Sequence, residues 1–202
     1  MGFLSVLSFA QRLVREGLEP GGFAIDATVG TGADTLFLAE AAGPRGAVYG
    51  FDIQPQALAL AEERIRRSGA AAESAGGKLA PVTFKLASHA CMSRAVPADW
   101  HGSVSAVMFN FGYLPADGAD RTIITSAESS LPALEDALTL LRPGGILTAV
   151  LYPGHEGGGE EAAAVEAWAA ALPGLSGQSI LYRLPQRSSA PYVVAVEKSK
   201  RV

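Results

Sequence analysis

Four short runs of this chain hold residue types that could do chemistry. Asp26-Ala27-Thr28-Val29-Gly30-Thr31-Gly32 follows an apolar stretch and opens a helical one. Asp52 closes a second apolar stretch, twenty residues after Gly32. Asn110-Phe111-Gly112-Tyr113-Leu114-Pro115 closes a later one, and Tyr152-Pro153-Gly154-His155-Glu156-Gly157-Gly158 closes another. The first two features make a nucleotide-type cofactor site. The third suggests what the cofactor reacts with. The fourth brings an imidazole on a glycine-rich loop, and histidine has an ordinary pKa near about 6.5, suited to taking a proton from an ammonium.

The elements that must position these residues alternate along the chain. Strands are predicted at residues 23–26, 47–52, 81–86, 104–109 and 146–152. Helices are predicted at 33–42, 55–67, 123–141 and 160–171, with Pro55 at a first helical turn. Residues 68–80 read as a mobile Gly/Ala/Ser-rich connection, and 142–145 as the end of a helix. Two late strands, 178–184 and 192–197, have no helix between them and should form an antiparallel hairpin. Five βα units and a hairpin imply an α/β fold with a doubly wound, mainly parallel, seven-stranded sheet, its antiparallel strand at the end. We expect a single domain over residues 1–202, without internal repeat or linker.

In such sheets, ligands lie beyond the carboxyl ends of the strands at the switch point beside strand one. The run at 26–32 lacks the Lys-Ser/Thr of a P-loop. Thr35 stands where the dinucleotide fingerprint needs its third glycine. Asp26 would repel a pyrophosphate and suits a cationic cofactor with a free amino group. Asp52 has the spacing of a carboxylate that accepts ribose hydroxyls. Asp34 falls in the first turn of a helix, where a carboxylate complements the dipole. Ser88 and His89 follow strand three, and His89 reads as a binding or structural residue rather than a base.

The chain has 202 residues, 49% apolar and 18% charged, which is a globular composition. No apolar run reaches the roughly 20 residues that cross a bilayer. Residues 3–10 lack a basic flank and cleavage site, so they read as an amphipathic helix covering the fold. A single cysteine, Cys91, allows no internal disulfide and makes a reducing cytoplasm the default. No His/Cys cluster has metal-ligand spacing, so no metal is expected. A net charge of −4 excludes gripping nucleic acid by global charge. Two local basic clusters remain, Arg64, Arg66 and Arg67, and Arg183, Arg187, Lys198, Lys200 and Arg201.

Asp26, the glycines and Asp52 together resemble the S-adenosylmethionine site of class I methyltransferases, whose usual pattern is Asp/Glu-x-Gly-x-Gly-x-Gly. Gly30 and Gly32 keep the second and third glycines, and Thr28 stands at the first. The resemblance implies a cofactor-contacting set of Asp26, Thr28, Gly30, Gly32, Asp34, Thr35, Asp52, Gln54, Ser88, His89 and Asn110. Asn110-Phe111-Gly112-Tyr113 resembles the Asn/Asp-Pro-Pro-Tyr motif of amino methyltransferases, with both prolines replaced. Asn110, Tyr113 and His155 are then the catalytic candidates. Residues 26–39, 110–115 and 152–158 are together similar to the bacterial family labelled "putative rRNA methylase", which includes the tRNA 5-aminomethyl-2-thiouridine methyltransferases. Gln186, Pro191-Tyr192 and Glu197-Lys198 also fit. Where family members usually carry Gly-Gly-Asp after Leu-Pro, this chain has Ala116-Asp117-Gly118-Ala119-Asp120.

That resemblance implies methylation of the aminomethyl nitrogen on the wobble uridine of tRNA. The expected partner is the anticodon region of tRNA, with neither DNA nor a membrane involved. A homodimer would double a weak basic face. Two other readings stand beside it: methylation of a small-molecule amine, and a cofactor-binding assembly partner with little catalysis.

Overall fold

Strand one of the sequence lies inside the sheet, third of seven strands. The computed structural model describes residues 2–120 and 122–200. Its strands are β1 (Phe23–Asp26), β2 (Ala47–Asp52), β3 (Val82–Leu86), β4 (Val104–Asn110), β5 (Leu141–Leu151), β6 (Gly177–Tyr182) and β7 (Tyr192–Lys198). Its helices are α1 (Val6–Gly17), α2 (Ala33–Ala42), α3 (Pro55–Ser74), the short α4 (Met92–Ala95), α5 (Ala127–Leu140) and α6 (Gly158–Ala170). The seven strands form one sheet in the order β3-β2-β1-β4-β5-β7-β6. The pairs β3–β2, β2–β1, β1–β4 and β4–β5 are parallel, and β7 runs antiparallel to both β5 and β6.

The sheet is covered on both faces because its strands are apolar at successive positions. Ile25, Val107, Phe109, Leu147 and Ala149 pack on one side, with Leu134 and Ala137 of α5 and Val165 of α6. Ala24, Ala106, Met108, Val150 and Val193 pack on the other, with Ala10 and Val14 of α1 and Leu38 of α2. The amphipathic N-terminal segment predicted at residues 3–10 is helical from Val6, capped by Ser5, whose hydroxyl accepts the Ser8 amide at 3.1 Å.

The two late strands pair as an antiparallel hairpin, with β7 between β5 and β6 and β6 at the edge. Other expectations need correction. The connection predicted from residue 68 is helical through Ser74. The Ala70-Ala71-Ala72-Glu73 run supplies strong helix formers, which outweigh the roughly 1 kcal/mol cost of one interior glycine at 69. The helix predicted from residue 123 starts at Ala127. Residues 124 and 125 are instead paired with the turn after β4, through a Tyr113–Ile124 bridge and the Thr125 amide on Gly112 O at 2.9 Å. Residues 142–145, read as a helix end, belong to β5, whose pairing with β4 shifts register between Val104 and Ala106.

Among the described residues no helix is long and apolar enough to cross a membrane. None of them form a group of three or more His, Cys, Asp or Glu side chains that could hold a metal ion.

Candidate functional site

The carboxyl ends of β1, β2, β3, β4 and β5 surround one cavity of about 440 Å³. That size lies in the usual range for small-ligand sites, which spans about 300–1,000 Å³. Its floor is the turn from β1 into α2. There the Ala27 amide bonds Met108 O at 2.9 Å and the Val29 amide bonds Phe51 O at 3.0 Å, so the turn is tied to both neighbouring strands. Gly32 ends the turn with φ +77°, and an added Cβ would lie 2.7 Å from Ala61 Cα of α3. Only glycine permits both that conformation and that approach.

Asp52 takes an amide on each carboxylate oxygen. The Gly30 amide donates to Oδ2 and the Gln54 amide to Oδ1, both at 2.9 Å. A carboxylate has about four lone-pair sites, so two remain for donors in the cavity that Asp52 lines. Thr28 also lines the cavity, and its hydroxyl accepts the backbone N–H of Asn110 at 2.6 Å. The residue that departs from the usual glycine therefore pins the end of β4. Asp34 lines the cavity nearly buried, and Gln11 of α1 donates to it at 2.9 Å. Burial raises its pKa.

Three predicted cofactor contacts are not on the cavity wall. Gly32 faces α3, as above. Thr35 is fully buried and donates to Asp26 at 2.5 Å. Asp26 is 1% exposed and also accepts the Thr28 amide at 3.1 Å. The expectation that Asp26 presents its charge to a cationic ligand is corrected: its side chain turns back under the loop and organises it.

Burial, with a smaller contribution from the nearby charge of Asp34, pushes the Asp26 pKa from 3.8 to about 7. Between those values the folded protein holds a proton that the unfolded chain has released. Stability from this group is therefore fully present below 3.8, falls as pH rises through the window, and levels off above about 7. Asp26→Asn should remove that slope. Urea unfolding at both ends of the window should show wild type losing more than about 1 kcal/mol relative to the variant as pH rises. A pH-independent difference would contradict the assignment.

The far wall is apolar, built from Phe51, Ile53, Ala87 and His89 beside Ser88. The Ser88 hydroxyl caps the short turn after β3 by accepting the Ala90 amide at 3.2 Å. His89 is 9% exposed, with Nδ1 3.3 Å from Ala27 O and Nε2 3.3 Å from Ser129 Oγ. Burial holds its pKa below the ordinary histidine value, so it stands as a neutral wall.

The opposite end of the cavity brings Asn110, Tyr113 and His155 together. Asn110 ends β4, and Tyr152 follows β5 beside it on the cavity wall. Burial first, then the Asp34 charge, hold the Tyr152 phenol above its ordinary pKa, so it stays neutral. The Tyr113 and His155 rings meet edge to face, 6.0 Å apart at 78°. His155 Nδ1 lies 2.9 Å from Glu156 O, which can only accept, so Nδ1 carries the proton. In the neutral ring Nε2 then bears the lone pair. It is buried, without a hydrogen-bond partner among the described residues, and within 3.5 Å of a Cβ built on Gly112.

Gly158 fixes where that imidazole sits. A Cβ there would lie 2.2 Å from Tyr152 O and 2.7 Å from the His155 ring. Tyr152, Thr125 and Gln11 are site residues that sequence reasoning missed. Tyr152 opened a recognised motif without being assigned a role. Thr125 and Gln11 left no local signal, because their partners lie far away in sequence.

The basic clusters are largely engaged within the chain. Arg64 donates to Thr31 O at 2.7 Å, Arg66 and Arg67 pair with Glu63, and Arg183 pairs with Glu166. Lys198 donates to Leu138 O and Leu141 O, and Lys200 pairs with Glu197. Arg201 lies outside the described residues.

Comparison with known proteins gives this geometry its relatives. A tRNA (mnm(5)s(2)U34)-methyltransferase of Arabidopsis thaliana chloroplasts is 35% identical over 186 residues. That match takes in 90% of this chain and 65% of the plant protein, so the chain spans just under two thirds of that relative's length. A crystal structure described as a putative rRNA-methylase from Clostridium thermocellum superposes with TM-score 0.86 at 30% identity, over 98% of this chain and 100% of that one. A Streptococcus mutans structure, described as a putative methyltransferase in complex with SAH, gives TM-score 0.78 at 29% identity over 98% and 99%. The family model described as "Putative rRNA methylase" matches residues 48–197, and the chain belongs to that family.

Proposed function

We propose that this protein is an S-adenosylmethionine-dependent RNA methyltransferase, and that its acceptor is the aminomethyl nitrogen on the wobble 2-thiouridine of tRNA. The observation that carries the amine reading is His155 Nε2, a buried lone pair without a partner beside the Asn110–Tyr113 turn. The tRNA substrate is supported by the plant relative's name and by the chain's own motifs.

The cavity suits such a cofactor by its size, its apolar wall and the two unfilled lone-pair sites of Asp52. Asp52 would hold ribose hydroxyls, with Phe51, Ile53 and His89 against the base and the Gly30 turn beneath. When bound, the cofactor supplies a sulfonium methyl, an electrophile that needs little beyond an aligned lone pair. The Asn110 amide, beside Tyr152 on the cavity wall, orients the acceptor nitrogen. Tyr113 packs against the acceptor group and, with Leu114, helps exclude water. His155 Nε2 accepts the proton an ammonium must lose before its nitrogen can react.

Labelled cofactor incubated with tRNA bearing the aminomethyl nucleoside, and with tRNA lacking it, tests the proposal. Transfer to the first alone is expected, and equal transfer to both refutes it. The net charge of −4 favours a second reading, a small-molecule amine as acceptor. Salt-sensitive binding to an anticodon stem-loop would count against that alternative.

A further inference from the structure

We infer that Glu161 is a positioning residue for the transfer, holding the Gly112–Tyr113 turn through the hydroxyl of Thr125. The inference rests on reading Asn110–Tyr113 as the turn that holds the acceptor.

Glu161 lies in the first turn of α6 and is 3% exposed. Its Oε2 accepts from Thr125 Oγ1 at 2.9 Å, and its Oε1 accepts from Ser130 Oγ at 2.6 Å. The same Thr125 oxygen accepts the Gly112 N–H at 2.7 Å, and the Thr125 N–H donates to Gly112 O at 2.9 Å. Thr125 therefore grips both backbone groups of Gly112.

The directions of these bonds are fixed by chemistry. Thr125 has one hydroxyl proton, and its oxygen is already used as an acceptor toward Gly112, so the proton points at Glu161. A carboxylate offers acceptors only, and here it receives two hydroxyl protons. A buried carboxylate is costly unless hydrogen-bonded, so removing either hydroxyl strains the arrangement. A glutamine in its place would turn an NH2 group toward one of the two hydroxyls. If that hydroxyl is Thr125, its oxygen faces two donors and its own proton has no acceptor.

The same turn of α6 also sets the other acceptor-side loop, because Gly158 packs directly beneath Tyr152 O and the His155 ring. One helix turn thus backs Tyr113 through Glu161 and His155 through Gly158. It fixes the 6.0 Å separation of the two rings from behind, without either residue touching a ligand.

The test uses E161Q, T125V and T125S in the full chain. E161Q and T125V preserve shape; T125V breaks the relay outright, E161Q breaks it where its NH2 faces Thr125, and T125S keeps the hydroxyl. Hydrogen exchange at the Gly112 amide should accelerate in E161Q and T125V, and T125S should recover most of the lost protection. In the same two variants kcat should fall about tenfold or more, with cofactor Kd near wild type and the protein still folded at the assay temperature. T125V, which leaves Glu161 one donor short, should lose some thermal stability. T125S should regain most of the turnover lost in T125V. Unchanged Gly112 exchange in T125V overturns the inference, as does retained turnover in that variant. So does parallel loss of turnover, cofactor affinity and stability in all three variants. Failure of the proposed substrate would appear separately, as a wild-type enzyme indifferent to the aminomethyl group. The kinetic arm then uses whichever RNA the wild type methylates, and the exchange arm is unaffected.

Discussion

Asn110→Ala is expected to lower kcat for methyl transfer about 100-fold, since small losses of alignment carry costs of that order. Cofactor Kd should stay within about threefold of wild type, the pattern of an interaction made only along the reaction. The substitution is clean because the backbone of residue 110 is held independently of its side chain. Its amide rests on Thr28 Oγ1 at 2.6 Å, and the residue stays in register with Val150 of β5. What disappears is the carboxamide. That group carries both donors and an acceptor, and it lines the cavity beside Tyr152. Single-turnover rates at saturating cofactor, alongside calorimetric titration, separate the two quantities. If affinity and turnover fall together, Asn110 belongs to the cofactor wall and its role has been misassigned.

Asp52→Ala is expected to do the opposite, weakening cofactor binding by about 1–3 kcal/mol through lost hydrogen bonds to a charged group. That corresponds to roughly 5- to 150-fold in Kd. Two losses combine. The unfilled lone pairs facing the cavity vanish, and the Gly30 and Gln54 amides lose the acceptor that holds their two loops together. Asp52→Asn should fall between wild type and alanine: it keeps one oxygen but turns an NH2 toward one of the two amide donors. At saturating cofactor both variants should recover most of their turnover. A turnover defect that saturation cannot repair would place Asp52 in the chemistry rather than in binding.

The parts legible in the sequence were those set by local pattern. The short apolar runs at β1, β2 and β4 could hardly be anything but buried strands. The turn through Gly30 and Gly32 announced itself by glycine spacing, and Asn110, Tyr113 and His155 by their motifs. The parts that escaped are set by distant partners. Residues 123–125 are β-branched, which favours extended backbone, and they are claimed by the turn after β4, so α5 starts only after Ser126. Asp26 is the sharper lesson. Its position at a strand end beside the cofactor turn is right, yet its side chain points toward Thr35, and no spacing rule specifies that direction. The relay from Glu161 through Thr125 joins residues 36 apart, and nothing near either one marks the pairing.

The family match begins at residue 48, whereas the strand that organises the sheet ends at Asp26. A fragment trimmed to the matched region would lack β1, the only element between β2 and β4. It would contain two partial sheets with nothing to join them, each presenting a newly bared, apolar edge of the kind that aggregates. It would also lack the turn that forms the floor of the cavity. The matched region by itself therefore lacks both the strand that joins the sheet and the turn that floors the cavity.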